Sequence, residues 1–483
     1  NIFSTYIYLS HLKYDVFRCS FKVTLFYKYK FLSGLEYNKS GSLAAVIRAE
    51  PDVENNGYKK NLYLIDGDTV KPFITDGKVG GFIWEDDEHI LFAANRSDAE
   101  KKRRESGDMF TAYYRISVKG GEALPAFTLP FTALSIDKIS DELFAATGAV
   151  DVNYPDFYTY DADKRKETAA KYKAEADYEI IDENPWWFNG MGMINKKRYG
   201  LFVCNIKTGE VKMITPANFR VGDYCEKDGV IYYAGEEYTA KMADVHFIYS
   251  YDTKTGRTKQ LTEKPMSVSY MDWVDNMLVI SGSYKETYGV SQSDCLYKLS
   301  FDGGEPEMFL YTEQGPGNSV GSDCRLRGNG RFATDGDKVY FVSTVVNAAH
   351  LICSDLSGKA ETIIGVEGTV DGFDIKNGKI ILVGMYDMKL QEVYTFDGKL
   401  HQVSHFNEDI LKDTYVAKPN KMTIKSQGYD IDGWVLLPKD YDRTKKYPAI
   451  LDIHGGPKTA YGEVFYHEMQ AWANMGYFVF FCN

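Results

Sequence analysis

Short runs of alternating apolar and polar residues, separated by turns rich in Asp, Lys and Gly, recur from about Leu32 to Val416. Each unit reads as strand, turn, strand: LYLIDGDTVKPFI from Leu62, YYRISVKGGEALPAF from Tyr113, LFVCNIKTGEVKMIT from Leu201 and IYSYDTKTGRTKQLT from Ile248. LYKLSFDGGEPEMFL from Leu296, LICSDLSGKAETII from Leu351 and VYTFDGKLHQV from Val393 bring the copies to seven. Alternation with period two marks half-buried strands, and the DG, KTG and GG turns supply the positive φ of tight hairpins. The copies start about 40 to 55 residues apart, and further strand-like runs lie between them, as at 44–48, 90–94, 230–234, 277–281 and 379–383. One interval of about 88 residues is longer and holds a polar insertion around 151–182. Four short antiparallel strands per repeat is the make-up of a propeller blade. A lone four-stranded sheet cannot bury both faces, whereas sheets packed face to face around an axis can. The pattern predicts a seven-bladed β-propeller over residues 32–416, with an open series of β-sandwiches or a six-bladed ring plus a spare hairpin as alternatives.

The pattern changes after residue 416. Residues 447–453 (YPAILDI) form an apolar run ending in His454-Gly455-Gly456-Pro457, as a buried strand entering a glycine turn does. From Tyr461 to Met475, the spacing of Val464, Phe465, Met469, Trp472 and Met475 fits one face of a helix, with Gly476 placed as its C-cap. Residues 477–481 (YFVFF) read as a second buried strand. Strand, turn, helix and strand make a βαβ unit, hence a parallel sheet with a right-handed crossover and a glycine turn at the carboxyl end, where open α/β sheets place ligands. Residues 417–483 are therefore expected to be the opening of an α/β domain.

Composition narrows the function. A net charge of −12 over 483 residues argues against nucleic acid, which needs clustered Lys and Arg. The seven cysteines, at 19, 204, 225, 295, 324, 353 and 482, form no CxxC pair, which points to reduced, buried thiols and a cytoplasmic setting. The eight histidines are dispersed without an HExxH motif, so no metal site and no cofactor is expected. Residues 1–31 are aromatic but interrupted by charge. They offer no membrane span or signal core and read as an edge segment, partly from outside the natural reading frame.

One literal G-x-S-x-G occurs, Gly317 to Gly321 around Ser319. A nucleophile elbow must follow a buried strand and open a helix. Here Glu313-Gln314-Gly315-Pro316 precede it and Ser322-Asp323 follow, so Ser319 is expected to be an ordinary loop serine. Residues 98–105 (DAEKKRRE) read as a solvated loop between strands, and Glu85-Asp86-Asp87-Glu88 as a hairpin turn without calcium-loop spacing. His467, near Glu468 in the tail helix, reads as an ordinary surface or half-buried histidine.

The order GW-x-L-x-P from Gly433, polar turn, Tyr447-Pro448, apolar strand, HGGP, aromatic helix, Gly476-Tyr477 and apolar strand resembles the entry to the catalytic domain of the prolyl oligopeptidase family of serine peptidases. The acylaminoacyl-peptidase and dipeptidyl-peptidase-like branch is the nearest match. DENPWWFNG from Asp182, RYGL from Arg198 and the GGEA and GGEP turns at Gly120 and Gly303 resemble that group's propeller, so the likeness covers nearly all of the chain after about Lys28. The resemblance implies a propeller that gates access by short peptides, and an oxyanion hole to which the Gly456 N–H contributes. His454, Gly455 and Pro457 would support that turn, with a general-base role for His454 as the lesser reading. It also implies a Ser, Asp and His triad beyond Asn483, with this stretch of chain inactive alone. Short peptides are the expected partners, with no nucleic acid and no membrane; the oligomeric state, a homo-oligomer included, is left open. The competing reading is a non-catalytic propeller that binds peptides or a protein partner.

Overall fold

The computed structural model describes residues 21, 23–326, 328–456 and 458–483. Antiparallel four-stranded meanders occupy 31–74, 82–129, 133–213, 219–260 and 267–310. Two more, at 332–364 and 369–402, join into one eight-stranded sheet through a single parallel pairing, Ala349 with Thr369. Every repeated unit read from the sequence is the outer hairpin of one of these meanders. Its turn glycine takes the left-handed backbone that hairpins require, as Gly67 does at φ 55° and Gly256 at φ 70°.

Apolar side chains pack between the sheets, in cyclic order. Ala45, Ile47 and Leu62 of the first meander meet Trp84, Ile90 and Phe92 of the second, and Leu91 and Tyr113 meet Phe144 and Phe202 of the third. Ala145 and Leu201 lie against Val221 and Ile231, Ala234 and Ile248 against Met271 and Leu278, and Val279 and Leu296 against Val339 and Phe341. Val342 and Leu351 meet Val370 and Leu382. Ile381, Val383 and Val393 of the last meander return to Leu32, Ala44 and Val46 of the first. The ring is thus closed by side-chain packing, and each four-stranded unit comes from one continuous stretch of chain.

Carboxylates tie the first strands together across meander boundaries. Asp223 accepts from the Met271 N–H at 2.6 Å, Asp272 from Thr334 Oγ1 at 3.0 Å, and Asp374 from the Tyr37 N–H at 2.7 Å, while the Tyr224 hydroxyl donates to Asp137. Such hydrogen bonds resist sliding between sheets that apolar packing alone would leave poorly registered.

The tail folds against this ring. Strand Phe478–Cys482 pairs antiparallel with Tyr429–Leu436 and parallel with Ala449–Asp452. Trp434 is fully buried and stacks on Phe481 at 5.5 Å. Phe21, Tyr29 and Phe31 are buried with Phe465 and Ala471 between ring and tail. The rest of the amino-terminal segment, residues 1–20 and 22, lies outside the described residues.

Four local expectations are corrected. Residues Asp98–Glu105 form a helix, α1, because Ser97 and Glu100 build a reciprocal capping box at its start. The polar insertion contains a second helix, α2 (Ala162–Ala174), tied to α1 through Asp108, which pairs with Arg165 of α2 at 2.8 Å and with Arg103 of α1 at 2.6 Å. The tail helix, α3, covers only His467–Asn474. Its predicted first turns are spent elsewhere: the Ala460 N–H donates to the Ser319 carbonyl and the Tyr461 N–H to Asn483, while Val464 and Phe465 are buried in cores shared with the ring. Finally, strand Ala449–Asp452, expected to be buried, is an edge with Leu451 62% exposed, whereas Phe478–Cys482 is paired on both sides. The Glu85–Glu88 stretch is the turn between two strands, as read.

Candidate functional site

Three segments of the tail meet the ring at one end. The Gly321 N–H donates to the Ala460 carbonyl at 2.8 Å, and Ser322 Oγ donates to the Phe465 carbonyl at 2.9 Å. Asp323 accepts from the His467 and Glu468 N–H groups at 2.7 and 3.0 Å. Helix α3 has no side-chain cap of its own, so Asp323, supplied by the ring, both satisfies its free donors and places a negative charge at its positive end. His467 is buried, with Nδ1 at 2.8 Å from the Tyr29 hydroxyl and Nε2 at 3.1 Å from the Val23 carbonyl. Both nitrogens are therefore occupied by structural partners, and burial lowers the imidazole's pKa.

Gly462 is the tightest point of this seam. A Cβ there would lie 2.0 Å from the Asn347 carbonyl oxygen. Gly462→Ala is expected to force ring and tail apart, at about 1–3 kcal/mol for an overpacked contact. Limited proteolysis should then release residues 417–483 faster than in the parent chain, with the ring's own fragments unchanged.

Ser319 lies inside the same seam. Its N–H donates to Thr344 Oγ1 at 2.8 Å and its carbonyl accepts from Ala460. No helix follows it, so the strained, exposed hydroxyl of an elbow is not formed.

The His454-Gly455-Gly456 turn follows strand Ala449–Asp452. His454 Nδ1 lies 2.7 Å from the Gly455 carbonyl, and its ring sits edge-on to Tyr461 at 5.1 Å. Gly455 and Gly456 are both exposed, and a Cβ on either would meet no described heavy atom within 4 Å. The turn itself thus makes no steric demand for glycine; a demand would come from whatever approaches the exposed backbone. Pro457 lies outside the described residues. Lys458, just beyond, reaches Ser293 of the ring at 3.1 Å.

The ring end facing this turn carries the insertion. In a meander the connections between second and third strands all fall at one end, and Asn347, which touches Gly462, sits in one of them. The insertion between Leu143–Asp151 and Lys197–Asn205 is the corresponding connection of the third meander, so it shares that end. Within it, Trp187–Phe188 and Gly192–Met193 form a short hairpin. Arg198 and Glu183 anchor the hairpin: both side chains are buried and bonded at 2.6 Å. The same guanidinium also donates to the Tyr238 and Lys197 carbonyls and lies 3.6 Å from the Tyr238 ring centroid. Sequence reading took this stretch only as a family mark and missed its anchoring pair.

No His, Cys, Asp or Glu cluster among the described residues is arranged to hold a metal. The six described cysteines are free thiols, of which Cys204, Cys295, Cys324 and Cys353 are buried; Cys19 lies outside the described residues. No described helix is long and apolar enough to cross a membrane.

Comparison with known proteins gives a consistent picture. No family model matches the chain. The uncharacterized peptidase YuxL of Bacillus subtilis is 31% identical over 83 residues, 17% of this chain and 13% of that protein. Dipeptidyl-peptidase 5 of Porphyromonas gingivalis is 27% identical over 157 residues, 31% of this chain and 23% of that protein. Among solved structures, the acylaminoacyl peptidase of Pyrococcus horikoshii superposes with a TM-score of 0.73 at 21% identity, covering 96% of this chain and 66% of that one. The β-propeller domain of the trilobed protease of Pyrococcus furiosus covers 79% of this chain, at 16% identity and a TM-score of 0.50. At such identities the structural likeness is one of fold. The chain spans less than two thirds of the length of the peptidases it matches.

Proposed function

We propose, taking as premise that this chain resembles peptidases of the prolyl oligopeptidase family in both sequence and fold, that it comprises a seven-bladed substrate-gating propeller (32–416) and the first part of an α/β-hydrolase peptidase domain (417–483). Each meander is one blade. The observation that carries the reading is the exposed Gly455-Gly456 backbone, at the carboxyl end of a strand in a parallel pair, on a tail locked to the ring by Asp323, Ser322 and Gly462.

In this reading the Gly456 N–H donates to the oxyanion of the tetrahedral intermediate, and glycine is needed so that substrate can approach the backbone. His454 orients the turn through the Gly455 carbonyl. The nucleophile is not Ser319, whose backbone is committed to the seam, and the residues described here contribute no triad. This stretch of chain is therefore inactive alone, and the whole protein is a serine peptidase acting on short peptides. Specificity among acyl-amino acids, dipeptides and longer units is set by groups outside the turn.

Gating makes a size prediction. The whole protein is expected to cleave a chromogenic acyl-peptide of a few residues while leaving a folded protein bearing the same sequence in a loop uncut over the same hours. Equal rates on the two substrates would contradict a gate. A non-catalytic binding propeller is the second reading, favoured by the exposed hairpin at Trp187–Met193; it predicts peptide binding without turnover by the whole protein.

A further inference from the structure

The largest run of exposed apolar side chains among the described residues lies in the insertion. Ile180 is 75% exposed, Met191 49%, Trp187 44% and Trp186 42%, with Phe188 and Met193 beside them. Scattered apolar residues on a surface need no explanation, but a contiguous set of this kind marks a binding surface. The hairpin is not a loose tip. Its root is stitched to the fourth meander by the Asn184 N–H donating to the Ala240 carbonyl at 2.8 Å and the Met242 N–H donating to the Asn184 carbonyl at 3.0 Å.

A small cleft opens at its foot, lined by Phe188, Met191, Tyr199, Tyr238 and Arg220. Arg220 differs from the other buried or half-buried arginines described. Arg48, Arg96, Arg165, Arg198 and Arg325 each donate to a carboxylate or carbonyl oxygen, whereas the one hydrogen-bond partner of the Arg220 guanidinium among the described residues is the Met242 sulfur, at 2.7 Å from Nη1. Sulfur is a weak acceptor, so most of a strong, forked donor is left unused in a partly desolvated place. Glu236 stands opposite Arg220 in the strand register but forms no ion pair with it, its carboxylate instead accepting from the Ala243 N–H at 3.0 Å. Lys197 and Arg198, the cleft's other cations, are already paired with Asp151 and Glu183. The cleft thus offers one planar cation with no ion pair or oxygen acceptor among the described residues, beside aromatic and thioether surface, on the ring end that faces the Gly455-Gly456 turn.

We infer that this cleft binds a peptide carboxylate carried next to an apolar side chain, with Arg220 holding the carboxylate and the Trp187–Met193 hairpin covering the apolar neighbour. The inference rests on the peptide-gating function proposed above and names a feature of the peptides admitted. Guanidinium and carboxylate match in shape and charge, and the low polarity of the cleft strengthens the pair relative to one in open water.

The test is binding to this 483-residue chain, read by tryptophan fluorescence, with no turnover required. Three probes are compared: acetyl-Ala-Leu-Phe as free acid, the same peptide as its amide, and acetyl-Ala-Glu-Phe-amide. At least one carboxylate peptide is expected to bind about tenfold tighter than the acetyl-Ala-Leu-Phe amide, the loss expected when a charge-assisted pair is removed. Preference for the free acid identifies a C-terminal carboxylate, and preference for the glutamyl peptide a side-chain one. Arg220→Gln should abolish the preference at an unchanged melting temperature, and Trp187→Ser should weaken all three probes alike. Equal binding of the three peptides, or a carboxylate preference that survives Arg220→Gln, overturns the inference. Because the assay reads binding and not turnover, such a result leaves the peptidase reading to be judged by turnover of the whole protein.

Discussion

Replacing Glu183 by alanine is expected to destabilise the ring by about 3–5 kcal/mol, because it strands the Arg198 guanidinium in a fully buried site. Both side chains are 1% exposed or less, and Glu183 also accepts from the Lys196 N–H at 2.9 Å. Breaking one half of a buried pair leaves an uncompensated charge, whereas replacing both halves by apolar groups of similar volume removes the desolvation cost along with the attraction. The double change Glu183→Leu with Arg198→Met should therefore recover much of the lost stability. Thermal or urea unfolding of the two variants checks this. A Glu183→Ala change that costs under 1 kcal/mol would mean that the hairpin root is not anchored by this pair.

The second large effect concerns pH. Glu36 is pushed up to about 8, by burial first and then by the Asp374 charge. Asp223 is pushed up to about 7, again chiefly by burial, with Asp272 and Asp137 adding repulsion while hydrogen bonds from the Met271 and Tyr224 backbone oppose it. Asp137, Asp272 and Asp374 are raised as well, mainly by burial, and Lys376 partly offsets the charge near Glu36, Asp272 and Asp374. The folded ring holds these protons more tightly than the unfolded chain, so their contribution is complete below the ordinary carboxylate range and is lost as pH rises through about 7 to 8. Opposing groups such as Glu50 and Glu183, held below the ordinary range, lose their contribution when the pH falls under it. Stability should peak on the mildly acidic side and fall between pH 6 and pH 9, by an amount that Glu36→Gln reduces. A melting temperature that rises across that interval would contradict the assignment.

The fold was readable where physics is local. Period-two alternation and turn glycines located the hairpin in every meander, and Gly476, at φ 96°, follows α3 as a C-cap glycine should. Helix α1 was legible too, in Ser97 and Glu100, but its density of charge suggested a loop. The start of α3 was not legible. Val464 and Phe465 have helical spacing, yet they face the ring, and only tertiary structure shows that the donors of residues 460–461 are taken by Ser319 and Asn483. For the same reason no pattern announces Asp323 as the cap of a helix 144 residues away from it. Arg220 carries no motif either; it is conspicuous only through the partners it lacks. The HGG turn and the Ser319 decoy were separable from sequence because an elbow demands a strand before it and a helix after it.

The central claim is that this ring and tail serve a serine peptidase whose nucleophile is not Ser319. Fluorophosphonate labelling tests it most directly, applied to the 483-residue chain, its Ser319→Ala variant and the whole natural protein. The account predicts stoichiometric labelling of the whole protein, unchanged by Ser319→Ala, and none of the shorter chain. Labelling of the shorter chain that disappears with Ser319→Ala, or a folded whole protein that resists labelling, would contradict it.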